Sequence, residues 1–143
     1  MALHFVDTNL LLYGIDDKDS RKQSLALELL TRLDSQQSGV LSTQVLLEFA
    51  HNLTRKFKVS RSTASLMTAA YLKWRVVQSD ASLVVQALAR SAQNDLSIWD
   101  AMVIEAALRA KADVLYTEDL QHGQRFGTLT VINPFLASIQ STQ

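Results

Sequence analysis

The stretch Leu3-His4-Phe5-Val6-Asp7-Thr8-Asn9-Leu10-Leu11-Leu12-Tyr13 decides the fold. An apolar run too short for a helix ends at a carboxylate, and Thr8 and Asn9 are good caps before Leu10, Leu11 and Leu12. The order is strand, acid, helix. In an open α/β sheet ligands bind just beyond the carboxyl ends of the strands, so Asp7 stands where chemistry is usually done. It is the first candidate site residue, although an aspartate here equally serves as a plain helix cap.

Outward from that stretch, strands and helices alternate. Residues 20–33 carry Leu25, Leu29, Leu30 and Leu33 at helical spacing, and Val40-Leu41-Ser42 is a short second strand. Residues 43–58 repeat the helical pattern through Val45, Leu46, Phe49, Ala50, Leu53 and Phe57, and this helix carries Glu48. The spacing predicts one helix over residues 60–74, a third strand at Arg75-Val76-Val77, and a helix over 80–93 whose apolar face is Leu83, Val84, Ala87 and Leu88. Ser97 then caps an almost wholly apolar helix with Trp99, Met102, Val103 and Ile104, a composition that predicts burial between layers. Asp100 lies inside it. Residues 113–117 form a fourth strand ending at Glu118 and Asp119, and Leu129-Thr130-Val131-Ile132 a fifth. Such alternation implies right-handed crossovers and a mainly parallel five-stranded sheet with helices on both faces. The expected architecture is one three-layer α/β/α domain over residues 1–143, with no repeat or linker to divide it.

The totals set bounds. A chain of 143 residues buries roughly two thirds of its unfolded surface and needs no staple. With no cysteine, a disulfide framework and a thiolate metal site are both excluded, and nothing points to an oxidising compartment. No signal segment or membrane-length apolar run is present, so a cytoplasmic protein without a membrane partner is the expectation. Lys plus Arg equals Asp plus Glu at 14 each, so net charge does not advertise a polyanionic partner.

Local acids say more. Asp7 follows strand one, Glu48 sits one turn into the helix after strand two, Asp100 lies in the first turn of the buried helix, and Glu118 with Asp119 follow strand four; the ends of those three strands share one edge of a parallel sheet, where the acids are expected to converge. Convergent carboxylates without histidine or cysteine suit a hard cation with oxygen ligands, Mg²⁺ or Mn²⁺. Such an ion hydrolyses phosphate esters by activating water and stabilising the leaving oxygen. Each acid also has a plainer reading. Glu48 falls off the apolar face of its helix and reads as a solvated surface residue. Ser97-Ile98-Trp99-Asp100 fits a capping box, yet Val103, Ile104 and Ala107 make an unpaired carboxylate costly there. Adjacent side chains diverge, so only one of Glu118 and Asp119 is expected to face the site.

Taken together, Phe5-Val6-Asp7-Thr8-Asn9, Ser42-Thr43-Gln44-Val45-Leu46-Leu47-Glu48-Phe49, Trp99-Asp100-Ala101 and Leu115-Tyr116-Thr117-Glu118-Asp119-Leu120 resemble the four acid motifs of the PIN-domain nucleases, in order and across essentially the whole chain. The compact length resembles the virulence-associated protein C toxins of type II toxin and antitoxin pairs. The resemblance implies an α/β/α fold, a Mg²⁺- or Mn²⁺-dependent endoribonuclease activity on RNA, homodimers, and an antitoxin partner. It also implies Asp7, Glu48, Asp100 and Asp119 as catalytic and metal-binding acids, with Thr8, Asn9 and Thr117 as supporting polar groups. Glu118 falls at the variable position of its motif.

Arg55, Lys56, Lys58 and Arg61 form the densest basic stretch and are candidate RNA contacts, although cations at a helix C-terminus also complement its dipole. Trp74, Trp99 and Tyr71 are expected in the core rather than stacked on bases. Leu66, Met67, Ala70 and Tyr71 make an apolar stripe suited to a second copy of the chain. Two rival readings remain open: a non-catalytic binding module that keeps the acids, and a haloacid-dehalogenase-like phosphatase. The second requires another aspartate two residues after Asp7, where the chain has Asn9.

Overall fold

The computed structural model describes residues 2–136, so the ends of the expected 1–143 span lie outside the described residues. Five strands run parallel: β1 (His4–Val6), β2 (Gly39–Ser42), β3 (Arg75–Val77), β4 (Val114–Tyr116) and β6 (Leu129–Ile132). A sixth, β5 (Arg125–Phe126), pairs antiparallel with β6, which corrects the five-stranded expectation. At two residues, β5 is too short to show any alternation.

Strand order is β3-β2-β1-β4-β6-β5. The chain steps outward from β1 to β2 to β3, then crosses back to lay β4 on the other side of β1. Direction reverses between β1 and β4, and that crevice is where α/β sheets bind ligands. Because crossovers are right-handed, the two directions of travel send helices to opposite faces. The first set comprises α1 (Thr8–Tyr13), α2 (Ser20–Gln36), α3 (Thr43–Arg55) and α4 (Arg61–Ala69); the second comprises α5 (Ala81–Asn94) and α6 (Ile98–Arg109).

Burial follows the sheet. Phe5, Val6, Val40, Leu41, Leu115, Leu129 and Val131 are inaccessible to solvent, and Leu10, Leu33, Leu53, Leu83 and Ile104 cover them from both faces. Gly39 lets β2 pass close against Trp74, since a Cβ there would lie 2.3 Å from the indole ring. Trp74 is held in turn by its Nε1 donating to Asp34 at 2.9 Å.

Three sequence expectations need correction. Residues 60–74 are not one helix: α4 gives way to a 3-10 turn at Ala70–Lys73. Its stripe divides, with Met67 and Tyr71 packed on the core and Leu66 exposed. Trp99 is 64% exposed, because it sits in the first turn of α6 and not along its covered length. Leu88 is likewise exposed, leaving Leu83 and Ala87 as the buried part of the α5 face. No helix among the described residues is long and apolar enough to cross a membrane.

Candidate functional site

Asp7 ends β1 and caps α1, with Oδ1 accepting from the Thr8 amide at 2.8 Å. Its second oxygen accepts from the Thr117 hydroxyl at 2.9 Å, reaching across the switch crevice from the end of β4. Capping and site placement therefore coincide in one side chain. Asp7 is only 7% exposed, and Thr117 is fully buried.

The neighbouring acids are gathered by short polar side chains. Thr8 Oγ1 donates to Glu48 Oε1 at 2.9 Å, and Gln44 lies 3.5 Å from the same oxygen. Glu48 is thus half-buried and partnered, not a solvated surface residue. Asn9 Nδ2 donates to Asp119 Oδ2 at 3.0 Å and to Thr117 Oγ1 at 3.2 Å, while the Asp119 amide also donates to Thr117 Oγ1 at 3.1 Å. Thr117 is the hub of this network. Asp100 stands in the first turn of α6, its amide donating to the Ser97 cap at 3.0 Å. It is joined to the others by the field of Asp119.

Burial pushes the Asp7 carboxyl up to about 7, against the hydrogen bonds from Thr117 and Thr8, and the charges of Asp119 and Glu48 add to the rise. Asp100 is also raised, first by partial burial and then by Asp119. Among the described residues none of Asp7, Glu48, Asp100 or Asp119 forms an ion pair. Four acids in mutual repulsion are an electrostatic deficit that a cation would offset.

Two observations bear on which cation fits. The donors are all oxygen, as a hard divalent ion requires. Asn9 Oδ1 is buried without a partner. Flipping the carboxamide would only turn that oxygen onto the Asp119 carboxylate, so an orphan acceptor persists beside the acids in either orientation. As they stand, however, no three acidic or histidine side chains among the described residues close around a common point. Glu48 instead rests on Thr8, and Asp119 on Asn9.

Glu118 points elsewhere. Its carboxylate accepts from Tyr13 at 2.6 Å and from Lys22 at 2.9 Å. The basic stretch is separate too. Arg55, Lys56, Lys58 and Arg61 are exposed at the far end of α3, and Arg55 lies seven residues beyond Glu48, about 10 Å at the rise of an α-helix. Trp99, expected in the core, presents an exposed indole one residue from Asp100. A place in a first helical turn was the available signal, since a terminal turn has packed neighbours on one side only.

Residues 4–125 match the PIN domain family. The chain belongs to that family. It is a family of nucleases, hydrolases acting on RNA. Among solved PIN structures, the chain is similar to Mycobacterium tuberculosis VapC20, a toxin that cleaves the sarcin-ricin loop: identity is 25% over 81% of this chain and 89% of that one, with a TM-score of 0.61. A DNA-bound VapBC complex from Salmonella typhimurium is 16% identical over 92% and 97% of the two chains, at a TM-score of 0.63. A Klebsiella pneumoniae toxin-antitoxin complex is 15% identical over 92% and 97%, at 0.60. No curated protein matches the sequence.

Proposed function

We propose that this PIN-domain chain is a divalent-cation-dependent endoribonuclease and the toxin of a toxin and antitoxin pair. What carries the reading is Asp7, a carboxylate buried at the switch crevice without a counter-ion and raised further by the charges of Asp119 and Glu48. Asp7, Glu48, Asp100 and Asp119 would hold Mg²⁺ or Mn²⁺, with Thr8, Asn9 and Thr117 fixing their directions. Bound there, the ion would acidify a water, draw charge from the phosphate and stabilise the departing 3′-oxygen.

The chain's own part is orientation and charge. The Thr8 amide and Thr117 hydroxyl fix both oxygens of Asp7, so its direction is set before any ligand arrives. Asp7 must release its proton to act as a ligand, so cation affinity rises with pH through the neutral range. The charge of Asp119 already raises the Asp100 carboxyl, so a phosphate near both is tolerable only once their charge is offset. Displacement at phosphorus opposite the 3′-oxygen leaves a 5′-phosphate and a 3′-hydroxyl.

An RNA long enough to reach the exposed cations Arg55, Lys56, Lys58 and Arg61 would run along α3, and the Trp99 indole offers a base a surface to stack on. The protein partners in this reading are an antitoxin and a second copy of the chain. Exposed Leu47, Leu66 and Leu72 on and after α3 and α4 supply apolar surface for such contacts.

The test is cleavage of a mixed set of labelled RNAs by wild type and Asp7→Asn with Mn²⁺, with Mg²⁺ and with chelator, beside growth of cells expressing each. Cleavage by wild type alone, lost with chelator and accompanied by growth arrest, is the expected result. Cutting that survives chelator defeats the metal reading. A folded wild type that binds Mn²⁺ but cuts nothing favours a binding module, and cleavage without growth arrest removes the toxin role.

A further inference from the structure

Glu118 follows Thr117 and precedes Asp119, yet it belongs to a different set of contacts. Tyr13 Oη donates to Glu118 Oε1 at 2.6 Å, and Lys22 Nζ donates to Glu118 Oε2 at 2.9 Å and to the Tyr13 hydroxyl at 3.2 Å. The ammonium also lies 4.7 Å from the Tyr13 ring centre and 5.0 Å from that of Phe135, while Tyr13 and Phe135 meet edge to face at 5.0 Å. Arg21 closes the group by donating to the Phe135 carbonyl at 2.7 Å.

The helix that carries Tyr13 also carries Asn9. The two are four residues apart on α1, which places them on one face a turn apart. Asn9 grips the Asp119 carboxylate, and Tyr13 grips that of Glu118. One helix face thus holds two consecutive, diverging side chains of the loop after β4. We propose that Tyr13, Glu118 and Lys22 form a clamp whose role is to position Asp119, with Glu118 a positioning residue outside the reacting centre. Lys22 neutralises Glu118 where it stands, so that this fifth acid does not add to the repulsion among the other four. The consequence for catalysis rests on the nuclease reading above; the mechanical claim does not.

The clamp is tested on the full chain, without metal, by amide hydrogen exchange read by NMR in wild type, Tyr13→Phe, Glu118→Ala and, as a control, Glu105→Ala. The control breaks a comparable pair, Arg90 to Glu105 at 2.6 Å, which joins α5 to α6. Exchange at the Asp119 amide should be about tenfold faster in Tyr13→Phe and Glu118→Ala, with amides of α6 unchanged. Glu105→Ala should leave Asp119 at the wild-type rate. Tyr13→Phe removes one hydroxyl and keeps the ring, so it decides the matter even if Glu118→Ala does not fold. Unchanged exchange at Asp119, or acceleration spread evenly over the chain, overturns the proposal. RNA cleavage should show kcat lowered about tenfold at constant KM, the mark of a displaced ligand and not of lost RNA binding. Should wild type cut no RNA while Asp119 still loosens in the variants, the nuclease reading fails and the clamp stands.

Discussion

Asp7 and Asp80 hold the same position in their elements. Each is the N-cap of a helix, α1 or α5, and each accepts a backbone amide, from Thr8 at 2.8 Å or from Leu83 at 2.9 Å. Beyond the cap they differ. Asp80 is open to solvent and paired with Arg109 at 2.9 Å, and that guanidinium draws its carboxyl below the usual range. Asp7 is buried, receives only neutral donors, and is pushed up to about 7. Capping needs an oxygen, not a deficit of positive charge. Burial without a counter-ion is a cost with no structural return at a helix cap, and it marks Asp7 as a site residue where the cap alone does not.

The contrast is broken most directly by removing each charge in turn. Asp7→Asn should lower RNA cleavage on the order of 10³-fold with the fold retained, whereas Asp80→Asn should cut at the wild-type rate. Circular dichroism on both variants checks the fold. Equal losses of activity would mean that the two caps serve α1 and α5 in the same way and that burial of Asp7 has no catalytic meaning.

A smaller effect is expected from the group that holds Asp7 without sharing its charge. Thr117→Val keeps the shape but removes the donor to Asp7 and the acceptor for Asn9 and the Asp119 amide. Cleavage should fall about 10–100-fold. Because the Thr117 hydrogen bond lowers the Asp7 pKa, its loss should also move Mn²⁺ binding to higher pH, measured by titration across the neutral range. A pure packing defect would lower stability and leave that pH dependence in place.

The sequence made the frame legible where physics is local. Apolar runs bounded by turns gave β1, β2, β3, β4 and β6, and the acids at strand ends follow from strand, acid, helix punctuation. What it could not give depends on contacts between distant residues or on element ends. Glu48 lies off the apolar face of α3, and only the arrival of Thr8, forty positions earlier, makes that a partnered location. Glu118 and Asp119 look equivalent until Tyr13 takes one and Asn9 the other. The break at Ala70 is invisible because 3-10 and α turns place apolar residues at nearly the same intervals. Trp99 shares the composition of a buried helix but not the cover of its middle turns.

The smallest effect separates the two caps by sign. In metal-free protein the folded pKa of Asp7, about 7, exceeds its unfolded value of 3.8, so the folded state binds the proton more tightly. Wild type should therefore lose stability as pH rises from about 4 to about 7, by on the order of a few kcal/mol in all. Asp7→Asn should not show that decline. Asp80 works in the other direction: its folded pKa is depressed, so its contribution is present above the unfolded value and disappears as pH falls through the folded one. Asp80→Asn should melt slightly below wild type at pH 7 and converge with it toward pH 3, the difference kept small by solvent and salt. Thermal melts of the three proteins in chelator at pH 3, pH 5 and pH 8 read both signs, that of Asp80 between the first two and that of Asp7 between the last two. Adding Mn²⁺ at pH 8 should then restore wild type and leave Asp7→Asn unmoved, since the cation stabilises only the fold that has a charge waiting for it.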